Sequence, residues 1–135
     1  MTNRESPEAV TRGVAVRVTP TFVPEHSDPA RSQFTWGYVV EIENRSLEPV
    51  KLVSRHWLIT DGRGHRDEVR GPGVVGQQPT LQPGDTFQYE SGCRLATPSG
   101  TMSGDYQMIT AGGGRFDALI PDVALPAPAA GPDRA

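Results

Sequence analysis

Apolar and polar residues along this chain trade places with a period of two, the signature of half-buried strands, and no segment sustains the 3.6-residue period of a helix. Val14, Val16 and Val18 alternate with Ala15, Arg17 and Thr19, which predicts a first strand that Pro20 and Pro24 should stop. Residues 23–32 read as a loop. Phe34, Trp36, Tyr38, Val40 and Ile42 then alternate with Thr35, Gly37, Val39, Glu41 and Glu43, the longest clean run in the chain. Trp36, Tyr38, Val40 and Ile42 are therefore expected to be buried. After a turn at residues 44–49, residues 50–60 form another strand with a fault in it. Leu52 and Leu58 fall on one parity while Val53, Trp57 and Ile59 fall on the other, so a bulge near Ser54 or Arg55 is needed to switch phase.

Punctuation between the remaining segments is dense. Asp61-Gly62-Arg63-Gly64 signals a hairpin, followed by a short polar strand over residues 65–70 and a glycine loop over 71–76. Gln82-Pro83-Gly84-Asp85 suits a type II turn, with proline at the first central position and glycine at the second. Phe87 and Tyr89 mark a further strand, and residues 91–100 read as irregular. Met102, Tyr106 and Met108 form the inner face of the next strand, residues 111–114 turn it, and Phe116, Ala118 and Ile120 begin the last. About seven or eight short strands separated by turn signals predict an all-β, antiparallel two-sheet β-sandwich of immunoglobulin or fibronectin III-like type, with a closed barrel as the alternative.

Composition narrows the rest. The 135 residues fit one domain, expected over 13–125, with a flexible segment at 1–12 and a disordered Pro/Ala-rich tail at 126–135. A net charge of -3 argues against nucleic acid as a partner. The single cysteine, Cys93, excludes an internal disulfide framework and fits a reducing compartment. With no leader pattern and no long apolar run, the expectation is a cytoplasmic protein with no membrane segment.

Most of the unusual chemistry lies between Ser54 and Pro79. Gly71, Gly73 and Gly76 have the GxGxxG spacing of phosphate-cradling loops. A dinucleotide fingerprint also needs a helix after the glycines, and here Gln77, Gln78 and Pro79 follow. The alternatives are a tight turn at positive φ and an anion site of backbone amides with Arg55 and Arg70 supplying charge. His26, His56 and His65 lack the spacing of a structural zinc site, so no metal and no cofactor are expected. Cys93 is expected to be a buried, unreactive thiol. No acid, base and nucleophile converge, and no catalytic residue is assigned.

Several linked motifs resemble the bacterial ApaG family: SRHWLITD at 54–61, EVRGPGVVG at 68–76, QPTLQPGDTFQY at 78–89 and SGCRLATPSGTMSGDYQM at 91–108. Weaker agreement over VEIENRS and RFDALIP extends the resemblance across most of 13–125. Gln77 stands where that family often has glutamate, and Arg94 where it often has proline. The resemblance implies a two-sheet sandwich similar to fibronectin III, and an association with cobalt and magnesium homeostasis without an established reaction. It thus points to a non-enzymatic protein-interaction or ligand-binding module with an unidentified protein partner. The alternative is a phosphate- or nucleotide-binding protein that uses the GPGVVG loop and is linked to diadenosine polyphosphate metabolism. The expected binding surface joins Arg55, His56 and Trp57 with Arg70, Gly71, Gly73 and Gly76, because the hairpin at residues 61–64 returns the glycine loop toward the start of the preceding strand.

Overall fold

The computed structural model describes residues 6–128. Nine strands follow in chain order: β1 (Glu8–Thr11), β2 (Val14–Phe22), β3 (Phe34–Asn44), β4 (Val50–Asp61), β5 (Arg66–Pro72), β6 (Thr80–Leu81), β7 (Thr86–Leu95), β8 (Gly100–Thr110) and β9 (Arg115–Leu125). They form two antiparallel sheets, ordered β1-β2-β3-β7 and β5-β4-β8-β9, with β6 added to β4. No ladder joins the two sheets among the described residues, so the domain is an open sandwich and the barrel alternative fails.

The core follows from the alternation. Trp36, Tyr38, Val40 and Ile42 of β3 are buried, and the register of β2 sets Val16 beside Ile42 and Val18 beside Val40. From the second sheet Leu52, Trp57, Met102, Tyr106, Met108 and Ile120 face them. Asn44 is also fully buried, and it bolts the layers together. Its amide nitrogen donates to the carbonyls of Glu48 and Leu81, each at 2.9 Å, while its oxygen accepts from the Ser46 amide and hydroxyl.

Four boundaries differ from expectation, each for a physical reason. β2 runs through Pro20 to Phe22. The Val23 amide donates to the Thr35 carbonyl, so odd-numbered residues of β2 face β3, and Pro20 turns its missing donor the other way, beyond the end of β1. The expected flexible segment at 1–12 contains β1, where Glu8 is held by Arg17 and Arg45 and the Thr11 hydroxyl accepts from the Leu119 amide. Residues 1–5 lie outside the described residues. Residues 91–95, read as irregular, complete β7; its outer side faces no layer, so its polar positions hide the alternation. At the other end the Trp36 indole N–H donates to the Pro126 carbonyl at 2.8 Å, which fixes the first residue of the expected tail; residues 129–135 lie outside the described residues. The Ser6 hydroxyl lies 2.8 Å from that of Thr19, which sets the start of the described chain at the same end of the sandwich.

Candidate functional site

The required phase switch in β4 is a bulge at Val53: Leu52 pairs with Met108 and Ser54 with Gln107, leaving one residue of β4 unmatched. Its carbonyl turns outward and accepts the Gly73 amide and the Gln78 side-chain amide, both at 2.8 Å. Beyond the bulge, Asp61 closes the DGRG turn by accepting the amides of Arg63 and His65. The return strand then sets Arg70 opposite His56 and Gly71 opposite Arg55.

On the outward face of β5, β4 and β8 a continuous polar chain results. Arg70 Nη2 donates to Glu68 Oε2 at 2.7 Å, and the same oxygen lies 2.6 Å from His56 Nε2. His56 Nδ1 lies 3.5 Å from Asp105 Oδ1, which accepts from Gln107 Nε2, and Gln107 in turn accepts from the Ser54 hydroxyl at 2.7 Å. The hydrogen bond from His56, with the Arg70 charge next in importance, holds the Glu68 carboxyl below its ordinary value. The Arg70 side chain remains 69% exposed.

Arg55 and Trp57 take the other face of β4. The indole of Trp57 is 3% exposed and packs against Tyr38 and Tyr106, so its expected place on the recognition surface is corrected: the bulge turns it into the core. Arg55 lies at the sandwich margin. Its Nη1 donates to the carbonyls of Pro72 and Gly73 at 3.0 and 2.9 Å, so this guanidinium secures the glycine loop rather than standing free. Beneath it the hydroxyls of Tyr89 and Tyr106 share a hydrogen bond; burial pushes Tyr89 up to about 12 and Tyr106 well above its ordinary value.

The glycine loop is a hairpin whose ends, Val74 and Gln77, exchange both backbone hydrogen bonds at 2.8 Å. Gly73 has φ +59, and a Cβ there would lie 2.2 Å from the Gln77 carbonyl oxygen. At the tip Val75 and Gly76 have φ +41 and +81, the left-handed pair of a type I′ turn. The amides of Gly73, Val74 and Gln77 are thus already committed to carbonyls of the fold. Gly71 lies directly against the Arg55 guanidinium, where a Cβ would come within 2.9–3.0 Å of its atoms. Arg70 and the three glycines therefore lie along one arm, with His56 opposite Arg70 on β4. Sequence reasoning missed Glu68, Asp105, Gln107 and Ser54, whose common signal is outward parity on adjacent strands.

The other candidates lie elsewhere. His26 sits in the short 3-10 turn Pro24–His26, and His65 lies 3.4 Å from Asp67 on the exposed hairpin. Among the described residues no three His, Cys, Asp or Glu side chains come together as a metal-ligand set. Cys93 is half-buried with its sulfur 3.8 Å from that of Met102, and burial pushes its thiol up to about 11.

A groove of about 380 Å³ beside the arm is lined by Val53, Ser54, Arg55, Arg70, Gly71, Pro72, Gln78 and Gln107. It adjoins a second, of about 330 Å³, that shares Val53, Ser54 and Gln107 and reaches Arg115 and Phe116. Fold and site together define an open antiparallel β-sandwich domain with a polar sheet face beside a glycine hairpin. The family model of the ApaG domain matches residues 24–110, and the chain belongs to the ApaG family. It is 52% identical over 120 residues to Protein ApaG of Methylocella silvestris, covering 89% of this chain and 92% of that one. Protein ApaG of Brucella anthropi is 53% identical over 120 residues, with the same coverage. The crystal structure of the Bordetella pertussis protein described as ApaA superimposes with a TM-score of 0.83 at 48% identity, covering 92% of this chain and 98% of that one. Among the described residues no helix is long and apolar enough to cross a membrane.

Proposed function

We propose that this chain is a non-enzymatic protein-interaction or ligand-binding module whose contact surface is the outward face of β4 and β5 with the glycine hairpin beside it. Val75 carries the reading. It is β-branched yet held at φ +41, and the residue is 55% exposed at the hairpin tip. Left-handed backbone costs such a residue about 1–2 kcal/mol, which Asn or Gly would relieve. Strain kept at an exposed apolar tip has a use in contact with a partner. The exposed Arg70 guanidinium beside the groove supplies charge next to that apolar contact, a combination suited to a protein segment bearing a carboxylate or phosphate.

On this reading the family's association with cobalt and magnesium homeostasis runs through a partner in the cytoplasm, not through an ion held by this chain. A nucleotide-cradling role for the loop, linked to diadenosine polyphosphate metabolism, has less to work with because the amides of Gly73 and Val74 are already bonded to carbonyls. The test compares wild type with Val75→Asn and Arg70→Ala for thermal stability and for partners recovered from cell extract. Val75→Asn should raise stability by about 1 kcal/mol while losing partners, a split that damage to the fold does not produce. Full partner recovery by both variants would remove the proposal.

A further inference from the structure

The two sheets have four edge strands, β5 and β9 in one and β1 and β7 in the other, and they are defended very differently. β5 carries Arg66, Asp67, Glu68 and Arg70 in seven residues and ends on Pro72, features that discourage another strand from pairing. At the far side β9 contains Pro121 and its Leu119 amide is already bonded to Thr11, while β1 has only four residues. β7 has ten residues, no proline and no lysine, and among the described residues no strand pairs with its outer edge. An edge of this length with only two charges, Glu90 and Arg94, of opposite sign, is a template for a strand that can match them.

The hydrogen-bond phase shows which residues that template offers. Since Thr35 turns its carbonyl toward β2, its neighbour Trp36 turns its polar backbone toward β7, and Cys93, opposite Trp36, faces β3 in return. By alternation Gln88, Glu90, Gly92 and Arg94 aim their N–H and C=O groups outward from the edge. Glu90 and Arg94 are exposed and have no ion-pair partner among the described residues, although Arg94 Nε donates to the Thr35 hydroxyl at 3.1 Å.

We propose that two copies of this chain associate by antiparallel pairing of their β7 edges about a twofold axis at Gly92, joining the two four-stranded sheets into one. This register brings Gly92 against Gly92 of the second copy, with no side chain at the centre, and places each Glu90 opposite an Arg94. Both charged pairs fall at outward-aimed, hydrogen-bonded positions on the solvent face of the sheet. Axes at Glu90 or Arg94 keep the same hydrogen-bond phase but set like charges face to face. Isologous symmetry doubles every favourable pair.

Because one strand pair is a small interface, the dimer should form with rising concentration and not as a permanent unit. Sedimentation of the full chain from micromolar to millimolar concentration should show this, and Glu90→Arg or Arg94→Glu alone should weaken it about tenfold or more. The double variant Glu90→Arg/Arg94→Glu restores opposite charges and should restore dimerisation. Circular dichroism should show each variant folded, so that a lost dimer reads on the edge and not on the fold. Amide exchange supplies a second reading: Glu90, Gly92 and Arg94 should gain protection with concentration, while Tyr89 and Cys93, already bonded to β3, should not change. A monomer at every concentration, a dimer indifferent to the single reversals, or a double variant that fails to recover would each overturn the proposal.

Discussion

β3 and β4 are both interior strands, of 11 and 12 residues, yet they use their length in opposite ways. β3 buries every second residue from Trp36 to Asn44, and each inward side chain meets the opposing sheet. β4 buries Val50, Leu52 and Trp57, with four half-buried residues in a row between them. One unmatched residue, Val53, makes the difference: it frees a carbonyl, holds the glycine hairpin against the sheet, and inverts the parity that follows, so that His56 points outward and Arg55 and Trp57 take the inner side. An unbroken period builds core, whereas a broken one gives the backbone groups something other than a ladder to do.

Substituting the spine is the largest test of that contrast. Trp36→Ala should cost about 3–5 kcal/mol in denaturant unfolding, and a cost near zero would show that β3 does not carry the core. Next comes the support under the irregular strand. A Cβ at Gly104, where φ is +152, would lie 2.0 Å from the His56 carbonyl oxygen, so Gly104→Ala must push β8 away from β4. The expected loss is about 1–3 kcal/mol, together with a change in the His56 ring resonances; unaltered resonances would show that the polar face does not depend on this close approach.

Alkali addresses the tyrosines beneath Arg55. Burial raises Tyr89 from 10.0 to about 12 in the folded state, so its contribution is complete below pH 10 and is lost as pH climbs through the folded value. Tyr89→Phe should flatten the fall in stability between pH 10 and 12, and an unchanged alkaline limb would place the sensitivity elsewhere. The smallest effect belongs to Glu68. Its lowered value means that its contribution is present above the ordinary carboxyl value of 4.5 and disappears as pH falls through the folded one. Glu68→Gln should make the acid limb shallower there, while His56→Gln should do nearly the same because it removes the same bond.

What could be read directly from the chain was whatever repeats. The β3 alternation, the need for a phase switch in β4, the Asp61 hairpin and the Gln82-Pro83-Gly84-Asp85 turn are written in residue spacing, and Gly84 does adopt φ +90. Trp57 was misplaced against its own parity: a single unmatched residue at 53, 54 or 55 equally puts it on the face of Leu52, so the phase switch already implied its burial. Strand β1 and the end of β7 escaped notice because edges are held by ladders and ion pairs more than by burial. The polar chain from Arg70 to Ser54 was also hidden, since its members come from three strands and only the register brings them together.

The anchoring of Ser6 to Thr19 and of Pro126 to Trp36 has a consequence for architecture. Trp36 lies opposite Phe22, three residues along β2 from Thr19, so the two ends of the described chain lie at the same end of the sandwich. A unit whose entry and exit share one end can be spliced into a surface loop of a host protein with little prying of that loop, or have its ends joined and new ones opened at the Asp61 turn. The same end makes a ready handle: a tether placed there leaves the hairpin tip and the free β7 edge facing outward.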